Sequence, residues 1–158
     1  MRRKQEGIAH VDEGNRAGPY CSMTALLVNI DVPDLERAIT FYTQAFELRP
    51  GRRLGGDFVE LLGAPVPLYL LLNAAGTEPI AKGQARRDYA RHWTPVHLDF
   101  VVPDLDAALA RALAAGAKLE REPTEHAYGR LAVLSDPFGH GVCLLQFSAR
   151  GYDAIATG

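Results

Sequence analysis

The tetrapeptide Val-Pro-Asp-Leu occurs twice, at Val32–Leu35 and seventy residues on at Val102–Leu105, and each copy marks the place where one hydrophobic period gives way to another. Ahead of the second copy, Val96, Leu98, Phe100 and Val102 are apolar and His97 and Asp99 lie between them. An alternation of two describes a strand with one apolar and one polar face. After it, Leu105, Ala108, Leu109, Ala112 and Leu113 recur at helical spacing, and Gly116 stands where a helix closes. Pro103 holds Val102 extended, and Asp104 is placed to cap the first amides of the helix. The first copy repeats the device, with Leu26, Val28, Ile30 and Val32 on the apolar face and Leu35, Ala38, Ile39, Tyr42, Ala45 and Phe46 on the helical stripe. A strand-to-helix junction duplicated at a fixed interval restricts the chain to two copies of one module. In each copy the helix covers the apolar face, so Leu27 and Asn29, and their counterparts His97 and Asp99, turn the other way.

The remaining elements follow from turn chemistry. The first module, residues 24–74, reads as a strand at 25–32, a helix at 34–47, a strand at 48–54, the turn Gly55-Gly56-Asp57, and strands at 58–62 and 68–73 around Gly63-Ala-Pro-Val-Pro67. Residues 75–94 are polar and basic and read as a linker, with a helical turn within 84–92. The second module, residues 95–149, gives a strand at 96–102, a helix at 104–115, strands at 118–121 and 130–135, the turn Asp136-Pro-Phe-Gly139, and a strand at 141–147. Residues 1–23 and 150–158 read as tails. The predicted class is α+β, two tandem βαβββ modules.

Bulk properties exclude several functions. A formal charge of -2 over 158 residues argues against a nucleic-acid binder, which shows a basic face. Cys21 and Cys143 are too few for a disulfide framework and suit a reducing cytoplasm. Met1-Arg-Arg-Lys4 is basic but no apolar run follows, so a signal peptide is not expected. The longest apolar stretch, 61–72, is short and broken by Gly63, Pro65 and Pro67, so no membrane span is expected.

The order of elements, the two Val-Pro-Asp-Leu junctions, Phe41-Tyr42 late in the first helix and Asp136-Pro-Phe-Gly139 before the last strand together resemble the vicinal oxygen chelate superfamily of glyoxalase I, bleomycin-resistance proteins and extradiol dioxygenases. The resemblance spans residues 24–148. It implies an eight-stranded open cup, with metal ligands from the first and last strands of each module in the members that use a metal. Those positions correspond to Leu27, a residue within 68–73, His97 and Cys143; in the pattern Asp-Pro-x-Gly-x-x-x-Glu, Cys143 stands where the Glu would be. Only His97 matches the donors expected there. The resemblance therefore points to a metal-free cup that binds a small organic molecule, with no cofactor.

In that cup His97 and Asp99 are the candidate catalytic pair, and Leu27, Asn29, Glu60, Tyr69, Leu71, Tyr128 and Cys143 are candidate ligand contacts. The alternative is a lyase, isomerase or ring-cleaving dioxygenase, either using a divalent metal on atypical ligands or using His97 and Asp99 as an acid–base pair. A module that only dimerises or regulates would instead have a filled cup. His97 also reads as a hydrogen-bonded wall residue, and Cys143 as a small buried hydrophobe. A homodimer is expected, because modules pair across chains in relatives.

Overall fold

Asp34 and Asp104 occupy equivalent extended positions, φ -144° and -139°, and each carboxylate accepts the amide three residues on, Arg37 N and Ala107 N, both at 3.0 Å. These caps start the two helices of a computed structural model that describes residues 26–157. The elements are β1 Val28–Val32, α1 Leu35–Phe46, β2 Arg49–Arg53, β3 Phe58–Leu62, β4 Leu68–Leu72, β5 Leu98–Val101, α2 Leu105–Ala115, β6 Lys118–His126, β7 Gly129–Ser135 and β8 Gly141–Phe147, followed by a 3-10 turn at Gly151–Ala154. Gly116 closes α2 in the left-handed region at φ 110°, as its position in the sequence requires.

The duplication is visible in the sheets. One has the order β1-β4-β3-β2 and the other β5-β8-β7-β6; β1 runs parallel to β4 and β5 parallel to β8, and the other pairs are antiparallel. Val28 pairs with Leu68 and Asn29 with Tyr69; seventy residues later, Leu98 pairs with Val142 and Asp99 with Cys143. Tyr69 is thus the first module's counterpart of Cys143. The result is two tandem modules in an open sheet arrangement.

Each helix covers one face of its own sheet. Leu35, Ala38, Ile39, Tyr42 and Ala45 pack with Ile30, Val32, Val59, Leu61 and Leu70, while Leu105, Ala108 and Ala112 meet Ala132, Leu134, Val142 and Leu144. Burying each of the larger side chains contributes roughly 1.5–3 kcal/mol. The helices also pack on each other, and Phe46 stacks on Phe100 with centroids 3.8 Å apart.

Several expectations are corrected. β5 begins at Leu98, so His97 precedes the strand, and Val96 is 77% exposed instead of lying on the covered face. The cause is the partner: pairing with β8 starts at Val142, and the residues before Gly141 are spent in the turn. β6 runs to His126, beyond residue 121, because β7 pairs with it as far as Gly129, across two irregularities. Leu113 is exposed at the end of its stripe. The predicted tail 1–23 lies outside the described residues.

No helical turn forms at 84–92, and residues 73–97 contain neither helix nor strand. That segment is fixed by specific bonds instead. Arg87 pairs with Asp31 at 2.7 Å, the Tyr89 hydroxyl donates to Asn73 O at 2.7 Å, and His92 N donates to Gly139 O at 3.0 Å. Two glycines let it lie this close. A Cβ on Gly139 would sit 2.5 Å from Ala90 O, and one on Gly141 would sit 2.6 Å from the Trp93 ring.

Candidate functional site

Strand alternation gives the uncovered face of each sheet one row of side chains. On the first sheet the row is Asn29, Tyr69 and Glu60; on the second it is Asp99, Cys143 and Val133. His97 extends the second row at its end, with Nε2 3.2 Å from Asp99 Oδ1, and the two side chains are 43% and 36% exposed. Both are open to a ligand. Cys143 is buried behind them, and burial, followed by the neighbouring Asp99, pushes its thiol up to about 12.

The first sheet presents no comparable free group. Glu60 is buried, and Arg52 donates to both of its oxygens, Nε to Oε2 at 2.9 Å and an Nη to Oε1 at 2.7 Å, while the Tyr69 hydroxyl donates to Oε1 at 3.3 Å. Hydrogen bonds from Arg52 hold this carboxyl down from its ordinary 4.5 to about 2. Gly51 makes the approach feasible, since a Cβ there would lie 2.7 Å from Glu60 Oε2. Glu60 and Tyr69 are therefore partners of each other and of Arg52.

His97, Asp99 and Cys143 bring ligand-type atoms within 4.8 Å of one another. They do not fit the two-module metal site that the fold implies. All three come from the second module, one is a thiol held protonated, and the equivalent first-module positions are Leu27, Asn29 and Tyr69. Hard divalent ions take oxygen and imidazole donors, and a thiol must lose its proton to bind a metal.

Two half-open clefts flank this pair along the seam between β1 and β5. One, of about 290 Å³, is lined by Asn29, Asp31, Tyr42, His92, Trp93, His97 and His140, among others. The other, of about 470 Å³, is mainly apolar, lined by Leu26, Val28, Phe46, Leu68 and Phe100, with Asp99, Glu47 and Arg111 as its charged groups. Of the predicted residues, Asn29 and His97 reach the first and Asp99 the second. Leu27 (43% exposed), half-buried Leu71, Glu60, Tyr69 and Cys143 line neither. Tyr128 lies in the β6–β7 turn, stacked on His126 at 4.8 Å and packed against Tyr152.

Sequence reasoning missed Tyr42, His92, Trp93, Asp136 and His140. The available signal was the histidine directly after Asp136-Pro-Phe-Gly139. Asp136 is buried, its Oδ1 accepts the amides of Phe138 and His140 at 2.8 Å each, and its Oδ2 accepts the Tyr42 hydroxyl at 2.8 Å and meets His140 Nδ1 at 2.7 Å.

Residues 27–145 match the family model described as a glyoxalase-like domain. The chain belongs to that family. An uncharacterised protein of Mycobacterium tuberculosis is 29% identical over 137 residues, covering 85% of this chain and 80% of the relative. Among solved structures, the fold is shared with the genomically encoded fosfomycin resistance protein FosX of Listeria monocytogenes, at TM-score 0.61, 16% identity, 81% of this chain and 96% of that one. It is also shared with a glyoxalase/bleomycin resistance protein/dioxygenase family enzyme of Burkholderia phytofirmans PsJN, at TM-score 0.60, 23% identity, 77% and 97%. At these identities the structures establish the fold of this glyoxalase-like chain. Among its described residues no helix is long and apolar enough to cross a membrane.

Proposed function

We propose that this glyoxalase-like chain binds a small organic molecule in its cup without a resident metal, in the manner of a sequestering or resistance protein. The observation that carries the reading is the one-sidedness of the cup face. His97 and Asp99 stand 3.2 Å apart and exposed on the second sheet, whereas the carboxylate on the first, Glu60, is occupied by Arg52. A ligand would meet an ionisable pair at one side and Leu27, Asn29 and Leu71 at the other, with Tyr69 and Cys143 buried beneath. Such a site combines apolar wall with a few polar anchors, which is how small molecules are held and oriented. FosX, by name a fosfomycin resistance protein, supports the resistance type, and a variant of it is described in complex with Mn(II) and a dihydroxypropylphosphonic acid. A homodimer accords with the same reading, since β2 and β6 each end a sheet with one edge unpaired.

The test pairs metal analysis with a thermal-shift screen of small molecules on protein dialysed against chelator. The reading expects stabilising ligands and less than one equivalent of metal. One equivalent of zinc, nickel, iron or manganese that survives dialysis, and that His97→Ala loses, would contradict it.

A second reading rests on the same 3.2 Å contact. Asp99 can orient the His97 ring, making His97 a general base for a bound substrate. Here His97→Ala would abolish turnover while substrate still bound.

A further inference from the structure

We propose that the 290 Å³ cavity above Tyr42 is a hydroxyaryl-binding site in which His140 takes up the phenolic proton. This goes beyond the cup reading: Asn29 and His97 border both the cup and this cavity, but the proton acceptor and its support, His140, His92 and Asp136, are residues the cup does not use.

The proton acceptor is defined by hydrogen bonding. His140 Nδ1 lies 2.7 Å from Asp136 Oδ2, and a carboxylate can only accept, so Nδ1 carries the hydrogen and in the neutral ring Nε2 holds the lone pair. His92 repeats the logic, since its Nδ1 is 2.8 Å from the carbonyl of Ala90, again leaving Nε2 as the acceptor. The two rings meet edge to face with centroids 5.4 Å apart, and both line the cavity. Buried Asp136 receives four hydrogen bonds, from two backbone amides, the Tyr42 hydroxyl and His140, and all are neutral donors while His140 is neutral. The nearby cation Arg91 is bound to Glu120 and stacked over Trp93 at 4.6 Å. Protonating His140 would set a full positive charge against that carboxylate.

The rest of the cavity selects the body of the ligand. Trp93, whose ring carries Arg91 over it, contributes part of an aromatic wall; Val28, Ile30, Leu98 and Val142 supply apolar walls; Asp31 is already occupied by Arg87 and Asn73. The other polar groups facing His140 are Asn29, His97 and the edge of Tyr89. A cavity of about 150 Å³ accommodates benzene, so this one takes one or two rings. An aliphatic alcohol does not release its proton to imidazole, and a carboxylate arrives with none to give to two nitrogen lone pairs. A phenol combines an aromatic body with one acidic O–H. In the step, the phenol O–H bond breaks, an N–H bond forms at His140 Nε2, the electron pair stays on the phenolate oxygen, and Asp136 balances the imidazolium.

The probe is 4-nitrophenol, whose phenolate absorbs at longer wavelength than its neutral form, and the reporter is Trp93, the single tryptophan of the chain. Saturable quenching of Trp93 together with growth of the phenolate band is expected. His140→Asn keeps an N–H for Asp136 and should weaken binding about tenfold or more and abolish the band. 4-Nitroanisole, the same body without the proton, gives a control on wild-type protein that needs no variant to fold, and it should bind about tenfold more weakly. Absence of quenching, a band that persists in His140→Asn, or equal binding of the anisole would each overturn the proposal.

Discussion

The Tyr42 hydroxyl donates to the Asp136 carboxylate at 2.8 Å across 94 residues of chain, tying the first helix of one module to the turn before the last strand of the other. Burial, reinforced by Asp136, raises the Tyr42 hydroxyl well above its usual range, so it remains a donor throughout neutral pH. Tyr42→Phe leaves a buried carboxylate short of one partner, which should lower stability by about 1–3 kcal/mol in urea unfolding. A loss below about 0.5 kcal/mol would show that the contact does not hold the modules together.

Glu60 sets part of the acid limit. Its folded carboxyl is lowered from 4.5 to about 2 by Arg52, so its contribution is complete above about pH 4.5 and is lost as pH falls toward about 2. Glu60→Gln should flatten the decline of melting temperature within that window and leave the remainder of the acid limb unchanged. An identical decline in the variant would remove Glu60 from the account.

Cys143 should be chemically inert in the folded protein. Its thiol is buried and pushed up to about 12, so almost no thiolate exists near neutrality. Iodoacetamide labelling read by peptide mass should modify Cys143 only in denaturant. Labelling in native buffer at the rate of a free thiol would mean that Cys143 is reachable and chemically competent.

Gly141→Ala tests the seating of the inter-module segment. A Cβ would fall 2.6 Å from the Trp93 ring, so the indole must move off β8. Trp93 emission should shift to the red as the ring becomes more solvated. Unchanged emission would mean that the segment does not rest on Gly141.

Local pattern carried most of the fold. Two apolar periods, two aspartate caps and Gly116 act over a few residues, and the elements they predict are present within a few positions. Features set by a distant partner were not legible in this way. β5 is short because β8 starts pairing at Val142, and β6 is long because β7 continues to Gly129. Of the candidate site, the His97–Asp99 contact followed from i, i+2 spacing, but the occupation of Glu60 by Arg52 depends on how β2 lies beside β3. Asp136 was readable as a turn residue, and its links to Tyr42 and His140 arise only once α1 packs beside that turn.

The most direct test of the cup is calorimetric titration of a ligand from the thermal-shift screen against wild type, His97→Ala and Leu27→Ala across about pH 5–8, the range in which histidine changes charge. Losing the hydrogen bond at His97 should weaken binding by about 1–3 kcal/mol, tenfold or more, without altering the melting temperature of the free protein. Leu27→Ala should lower affinity through lost apolar contact and keep the pH dependence. Equal affinity and equal pH profiles in wild type and His97→Ala would contradict the account.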